Sequence, residues 1–286
     1  MLSPRETRLL ESLRLNPSRA FRGATKGERV SKRKGISIEF ADFRNYSDGD
    51  DLRHLDWNVL ARLETPVLRT YQDEEDLILY LVVDNSASMN FGEPDKSGVA
   101  SKLAAALGTI ALIGGDAVRL VNGSQSAPPN QPLRGRANGR NLFTRLGKLE
   151  PGNKSISLAA QSLLKGSVKN GLVILVSDGL DEALPQAIRA LGGRGFEVWM
   201  AQVLDDGEID PDLEGDLRLI DSENDQIAEI TVNRDTLTAY KTNLTRHIDA
   251  LRQAVQRTGG KHMLIPTSES LEQTITRRMK PERWFA

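Results

Sequence analysis

A chain of 286 residues, 39% hydrophobic and 27% charged, has the composition of a folded globular protein with material for a real core, which excludes disorder and low complexity. Lysine and arginine number 38 against 39 aspartates and glutamates, a net charge of -1, and with no cysteine there are no disulfides, thiolate nucleophiles or Cys-held zinc or iron–sulfur sites. His54, His247 and His262 are too scattered for an imidazole cluster, so a metal here has to be held mainly by oxygen.

Leu9, Leu10 and Leu13 at helical spacing predict a short amphipathic helix within residues 4–15. Residues 19–34 then carry seven basic groups (Arg19, Arg22, Lys26, Arg29, Lys32, Arg33, Lys34) against Glu28, and read as a solvated arm, with nucleic-acid contact as the alternative. A mixed segment, 36–71, contains a turn at Gly49-Asp50-Asp51. Leu77 to Val83 is the longest strongly apolar run and ends abruptly in Asp84, the pattern of a strand buried on both faces. It is far shorter than the roughly 20 residues of a membrane helix. The N-terminus also lacks an apolar signal-peptide core, so the expectation is a soluble, cytoplasmic protein.

Val99, Leu103, Ala106, Leu107 and Ile110 share one helix face after that strand. A strand at 117–121, a turn at 126–132, a short return strand at 131–134 and helices within 137–149 and 156–164 follow. The second wholly apolar strand, Leu172 to Val176, ends at Ser177-Asp178-Gly179. A helix at 183–192 and a strand at 196–203 lead into residues 205–225, with ten acids against Arg218 alone. Two short strands, 217–220 and 227–232, lie in and beyond this excursion. A helix at about 235–257 stops at Gly259-Gly260, a strand covers 262–265, and a helix at 268–278 ends the series. Strand–helix alternation predicts an α/β fold, a doubly wound, mostly parallel sheet with an N-terminal arm and a small β excursion. In the common strand order 3-2-1-4-5-6, the strands ending in Asp84 and Asp178 are neighbours, and the crevice between them is the ligand-binding switch point.

Asp84, Ser86 and Ser88 alternate on a tight loop, which lets one carboxylate and two hydroxyls turn toward one point, and Asp178 adds a second carboxylate. Such hard oxygen donors suit Mg2+ or Mn2+ with a coordination position left open, which a partner's Asp or Glu can fill without any bond breaking. A Ser nucleophile is disfavoured because Gly-x-Ser-x-Gly is absent, and the lack of a Gly-x-x-x-x-Gly-Lys-Ser/Thr loop argues against nucleotide hydrolysis. Arg44, Asp48, Asp50, Arg53, Asp56 and Trp57 read as a salt-linked clasp around a buried Trp57, fastening the arm to the sheet domain.

The string Asp84-x-Ser86-x-Ser88-Met89, with Ser177-Asp178-Gly179 at a later strand end, resembles the metal-ion-dependent adhesion site of von Willebrand factor A domains. Gly35, Glu39-Phe40, Arg44-x-Tyr46, Gly49-Asp50-Asp51-x-Arg53-x-Leu55-Asp56-Trp57, Ala61-Arg62 and Glu74-Glu75 precede it. Together these resemble a bacterial family, domain of unknown function fifty-eight, over about residues 25–275. The resemblance implies a von Willebrand factor A-like domain at 76–280 with an insertion at 205–234, preceded at 1–75 by helix, arm and clasp. It also implies a partner, a MoxR-type AAA+ ATPase. The family's site usually draws a threonine from a Gly-Gly-Thr loop; here the stretch is Gly152-Asn153-Lys154-Ser155-Ile156, with Lys154 in the threonine's place and Ser155 as the nearest hydroxyl. Lys154, if it enters the site, neutralises the aspartates in the metal's stead.

The resulting expectation is a non-enzymatic interaction module whose metal site (Asp84, Ser86, Ser88, Asp178, Ser155) binds an acidic side chain of a client protein. Working with a MoxR-type ATPase, it would serve the assembly or maturation of complexes. The alternatives are a divalent-metal-dependent hydrolase or phosphatase using Asp84, and a nucleic-acid-associated adaptor using the basic arm.

Overall fold

The computed structural model describes residues 2–18, 40–48, 50–71, 77–121, 131–149, 155–165, 168–220 and 226–286. The basic arm at 19–34 and the turn around 126–130 lie outside them, as do Gly35, Glu39, Gly49, Glu74, Glu75 and Lys154. The chain divides into two units, Phe21–Glu75 and the combination of Met1–Ala20 with Asp76–Ala286.

Helix α1 (Pro4–Glu11) starts at Ser3, which forms a capping box with Glu6. Leu10 is fully buried, and Leu15 bridges to Phe285 near the opposite terminus. The N-terminal helix was expected to group with the arm; it belongs to the sheet unit because its apolar stripe packs there.

In the smaller unit, β1 (Phe40–Asn45) pairs antiparallel with β2 (Val67–Tyr71), and α2 (Trp57–Leu63) lies between them in sequence. The charged residues pair locally, within this unit. Arg44 makes a two-pronged contact with Asp50 at 2.6 and 2.7 Å, Arg53 pairs with Asp51, and Asp56 caps α2 through the Asn58 and Val59 N–H groups. Trp57 corrects the clasp reading: it is 62% exposed, because it occupies the first position of a seven-residue helix that buries none of its residues.

The larger unit carries the sheet. Its strands are β3 (Ile78–Val83), β4 (Ala117–Val121), β5 (Leu133–Arg134), β6 (Leu172–Ser177), β7 (Glu197–Leu204) and, after the excursion strands β8 (Gly215–Ile220) and β9 (Ile227–Val232), β10 (His262–Pro266). The order is β10-β7-β6-β3-β4-β5, parallel except for β5, which is the doubly wound order expected from the alternation. Every residue of β6 and β7 is buried, including Glu197 and Gln202 of β7, as strands covered on both faces by helices require.

The helices are α3 (Lys96–Gly114), α4 (Gly139–Leu146), α5 (Ile156–Ser162), α6 (Leu184–Gly193), the short α7 (Asp206–Ile209), α8 (Arg234–Gln256) and α9 (Leu271–Gln273). Contacts group α1 and α4 around α3, with α9 against α1, and α5 and α8 around α6. Tyr80, Val82, Val173, Leu175, Val198 and Met200 form a dry core with Ile156, Leu184, Ile188 and Leu251. Helix α3 is long and apolar enough by length and composition to cross a membrane, and most of it is buried inside this unit. The final helical segment is shorter in α form than expected, three residues followed by a π turn at Thr274–Met279.

The β8–β9 hairpin confirms the excursion, but it packs little of itself: Val232 is its single buried residue, and Leu219, Ile220, Ile227 and Ile230 are exposed.

Candidate functional site

Parallel pairing of β3 with β6 brings Val83 beside Val176, and the Asp84 N–H continues the ladder to the Val176 carbonyl at 2.9 Å. The loops leaving these two strands therefore start side by side. Ser86 is extended and opens a single 3-10 turn, Ala87–Asn90, which folds Ser88 back over it. The Ser86 and Ser88 hydroxyl oxygens are 3.0 Å apart, and Ser88 donates to Asp178 Oδ2 at 2.9 Å. Asp84 is braced from both sides: its Oδ1 accepts from the Ser86 N–H at 3.0 Å and its Oδ2 from the Ser177 hydroxyl at 2.5 Å. Four of the five residues expected at the site are thus drawn together, Asp84, Ser86 and Asp178 buried and Ser88 half-buried.

This donor set fits a small divalent ion. Adjacent ligands of an octahedral ion with bonds of about 2.1 Å lie about 3.0 Å apart, the spacing between the two serine oxygens. Among the described residues no cluster of three or more carboxylates and imidazoles forms a metal cage, so hydroxyls and water would have to complete the shell.

Ser155 goes elsewhere, which corrects its place in the expected set. Its hydroxyl is bonded to Asp181 and lies 2.6 Å from the Ser157 hydroxyl. Asp181 also accepts from the Ser157 N–H at 3.0 Å, acting as the missing cap for the first turn of α5. Burial acts to raise the Asp181 carboxyl, but bonds from Ser155, Ser157 and the Ala183 N–H prevail and hold it below the usual carboxylate range.

The cation beside the aspartates is Lys96, a residue sequence reasoning passed over. It is the first residue of α3 and fully buried; its Nζ lies 3.0 Å from Asp178 Oδ2 and 2.6 Å from Glu208 Oε1. Burial opposes its charge, yet Asp178 and Glu208 outweigh that cost and raise its pKa, so the ammonium is retained. Asp84 shifts upward from the ordinary carboxyl value, chiefly through burial with the Asp178 charge adding to it, against the bonds from Ser177 and Ser86. Glu208 is itself fixed, since its Oε2 accepts from the Asp205 N–H in a capping box and its carbonyl accepts from Tyr240 of α8. The acidic excursion thereby supplies one carboxylate to the site's edge. The only sequence signal for Lys96 was a lysine opening a helix twelve residues after Asp84.

Both carboxylate oxygens of Asp178 are engaged. Its Oδ1 accepts from the Leu180 N–H at 3.1 Å, and its backbone carbonyl from Gln202 at 2.8 Å. His247 of α8 contacts the next carbonyl, Gly179, at 2.6 Å. Three exposed apolar side chains, Phe91, Leu158 and Leu180, belong to the loops and helix start at this same end of the sheet.

The sequence profile of the family described as Protein of unknown function DUF58 matches residues 42–250. The chain belongs to that family. Similar curated sequences include the uncharacterized protein Rv1480 of Mycobacterium tuberculosis and the uncharacterized protein Mb1516 of Mycobacterium bovis. Each is 27% identical over 264 residues, an alignment that covers 89% of this chain and 81% of the relative. Among solved structures, BatB from Bacteroides thetaiotaomicron aligns at 14% identity with a TM-score of 0.43, covering 72% of this chain and 98% of that one. An aerotolerance-related membrane protein from Bacteroides fragilis aligns at 16% identity with a TM-score of 0.43, covering 72% and 99%.

Proposed function

We propose that this DUF58 member is a non-enzymatic interaction module of von Willebrand factor A type, which holds Mg2+ or Mn2+ and captures an acidic side chain of a client protein. The observation that carries the reading is the meeting of Ser86, Ser88 and Asp178 at hydrogen-bond distance from the ends of two adjacent parallel strands, with Asp84 braced beside them. Asp84, Ser86 and Ser88 would hold the ion, with Asp178 contributing directly or through water. A bound ion supplies a positive centre that a visiting carboxylate can complete. The chain's own residues do the rest. Ser177 and the Ser86 N–H keep Asp84 oriented, and the Leu180 N–H with Gln202 keeps the Asp178 loop in place. Phe91, Leu158 and Leu180 offer apolar surface for the residues flanking the visiting acid.

The MoxR-type ATPase as a working partner, in the assembly or maturation of other complexes, is what the family resemblance implies. An ATP-consuming partner puts that contact in the cytoplasm, where ATP is.

Immobilised protein should retain a client from a lysate of its own cells in the presence of Mg2+ and release it on addition of EDTA. Asp84→Ala should fail to retain the same client with Mg2+ present. Equal capture by wild type and Asp84→Ala, or Asp84-dependent turnover of a phosphate ester, would remove the reading.

A further inference from the structure

The two carboxylates of the site do not face a cation site alone: a third, Glu208, and one ammonium, Lys96, belong to the same buried network. With the three carboxylates ionised, the network carries two negative charges, the complement of one divalent ion. Lys96 is wholly inside the protein and reaches Asp178 Oδ2, the oxygen that also accepts from Ser88. Its ammonium therefore shares an oxygen with the donor set, and its charge opposes any cation placed there. The position is imposed by the fold. Lys96 opens α3, its own N–H is held by the Phe91 carbonyl at 3.0 Å, and the Phe91 ring lies 5.8 Å from its Nζ. On its far side Glu208, fastened by the Asp205 capping box, holds the ammonium at 2.6 Å, closer than Asp178 at 3.0 Å.

We propose that Lys96 is a resident counter-cation that sets the affinity of this site for divalent ions. It lets the two aspartates stay buried when no metal is bound, weakens metal binding by its charge, and is restrained in doing so by Glu208. The inference rests on the divalent-ion reading of the site and adds to it a residue that is not a ligand. A site built this way is filled and emptied as the free ion concentration or a client's carboxylate changes, since neither state leaves Asp178 without a positive partner.

The test is calorimetric titration of the full chain with MgCl2 and with MnCl2, alongside melting temperatures in EDTA, for wild type, Lys96→Met, Glu208→Gln and Asp84→Ala. Lys96→Met should bind the ions at least tenfold more tightly than wild type while melting lower in EDTA. Glu208→Gln, which leaves the ammonium to Asp178, should bind at least threefold more weakly, and it carries the test if Lys96→Met does not fold. Asp84→Ala should lose binding. Unchanged or weaker binding by Lys96→Met, or unchanged or tighter binding by Glu208→Gln, overturns the proposal while wild-type binding lost in Asp84→Ala leaves the metal reading standing. No heat and no melting shift in any folded variant up to high millimolar ion overturns both.

Discussion

His262 shows how one buried side chain ties stability to pH. Its Nε2 lies 2.9 Å from Gln202 Oε1, the amide whose nitrogen holds the Asp178 carbonyl. Burial, with Arg252 adding to it, lowers the imidazole from its ordinary 6.5 to about 4. The unfolded chain takes up a proton near pH 6.5 and the folded chain only near 4, so this contribution is complete above pH 6.5 and is lost as pH falls toward 4. The loss amounts to at most about 3 kcal/mol. Urea unfolding of wild type and His262→Gln between pH 7.5 and 4.5 should show the wild type losing stability faster as acid is added; parallel curves would contradict the buried neutral ring. At this scale Asp84, Ser86, Ser88 and Asp178 were legible, because alternation on a loop and an acid at a strand end are local patterns. Lys96 and Glu208 were not. A lysine opening a helix and a glutamate in an acidic run look like solvated residues until the fold encloses them.

Among the elements, the joint between α8 and β10 is the tightest. The Gly259-Gly260 pair reads as a helix cap in sequence, and Gly259 does take a left-handed conformation with φ +79. The demand at Gly260 is different: a Cβ there would lie 1.7 Å from the Val198 carbonyl oxygen of β7, too close for any rotamer to relieve. Gly260→Ala should therefore cost about 3 kcal/mol, seen as a lower denaturation midpoint with unchanged slope. A midpoint equal to wild type would mean that β7 and β10 do not approach as described. The strands themselves were readable because β3 is apolar without alternation, as is β6 up to Ser177. Trp57 illustrates the converse. Its size argued for burial, but a seven-residue helix capped by Asp56 with no buried face leaves it in solvent.

For the whole molecule, the charge network implies that metal is not needed to fold. Asp178 is already paired with Lys96 and bonded by Ser88, and Asp84 by Ser177, so EDTA should leave the circular dichroism spectrum and cooperative melt intact. Mg2+ should then raise the melting temperature by mass action. For a site with a dissociation constant of about 1 mM, 10 mM ion adds about 1.4 kcal/mol, a shift of a few degrees that Asp84→Ala should not show. Unfolding in EDTA alone would place the metal in the structural framework instead.

The sequence by itself determined the strand–helix alternation of this protein, and the adjacency of the strands that end at Asp84 and Asp178 followed only from the common doubly wound order, which the sheet adopts. Apolar runs and helical spacing are properties of residues near one another in the chain. Only the tertiary structure decided how charge is balanced at those strand ends. The ammonium that meets Asp178 comes from the start of α3, 82 residues back along the chain, and the second carboxylate on that ammonium comes from α7, 30 residues beyond Asp178; no local pattern records which distant ammonium and carboxylate will meet there.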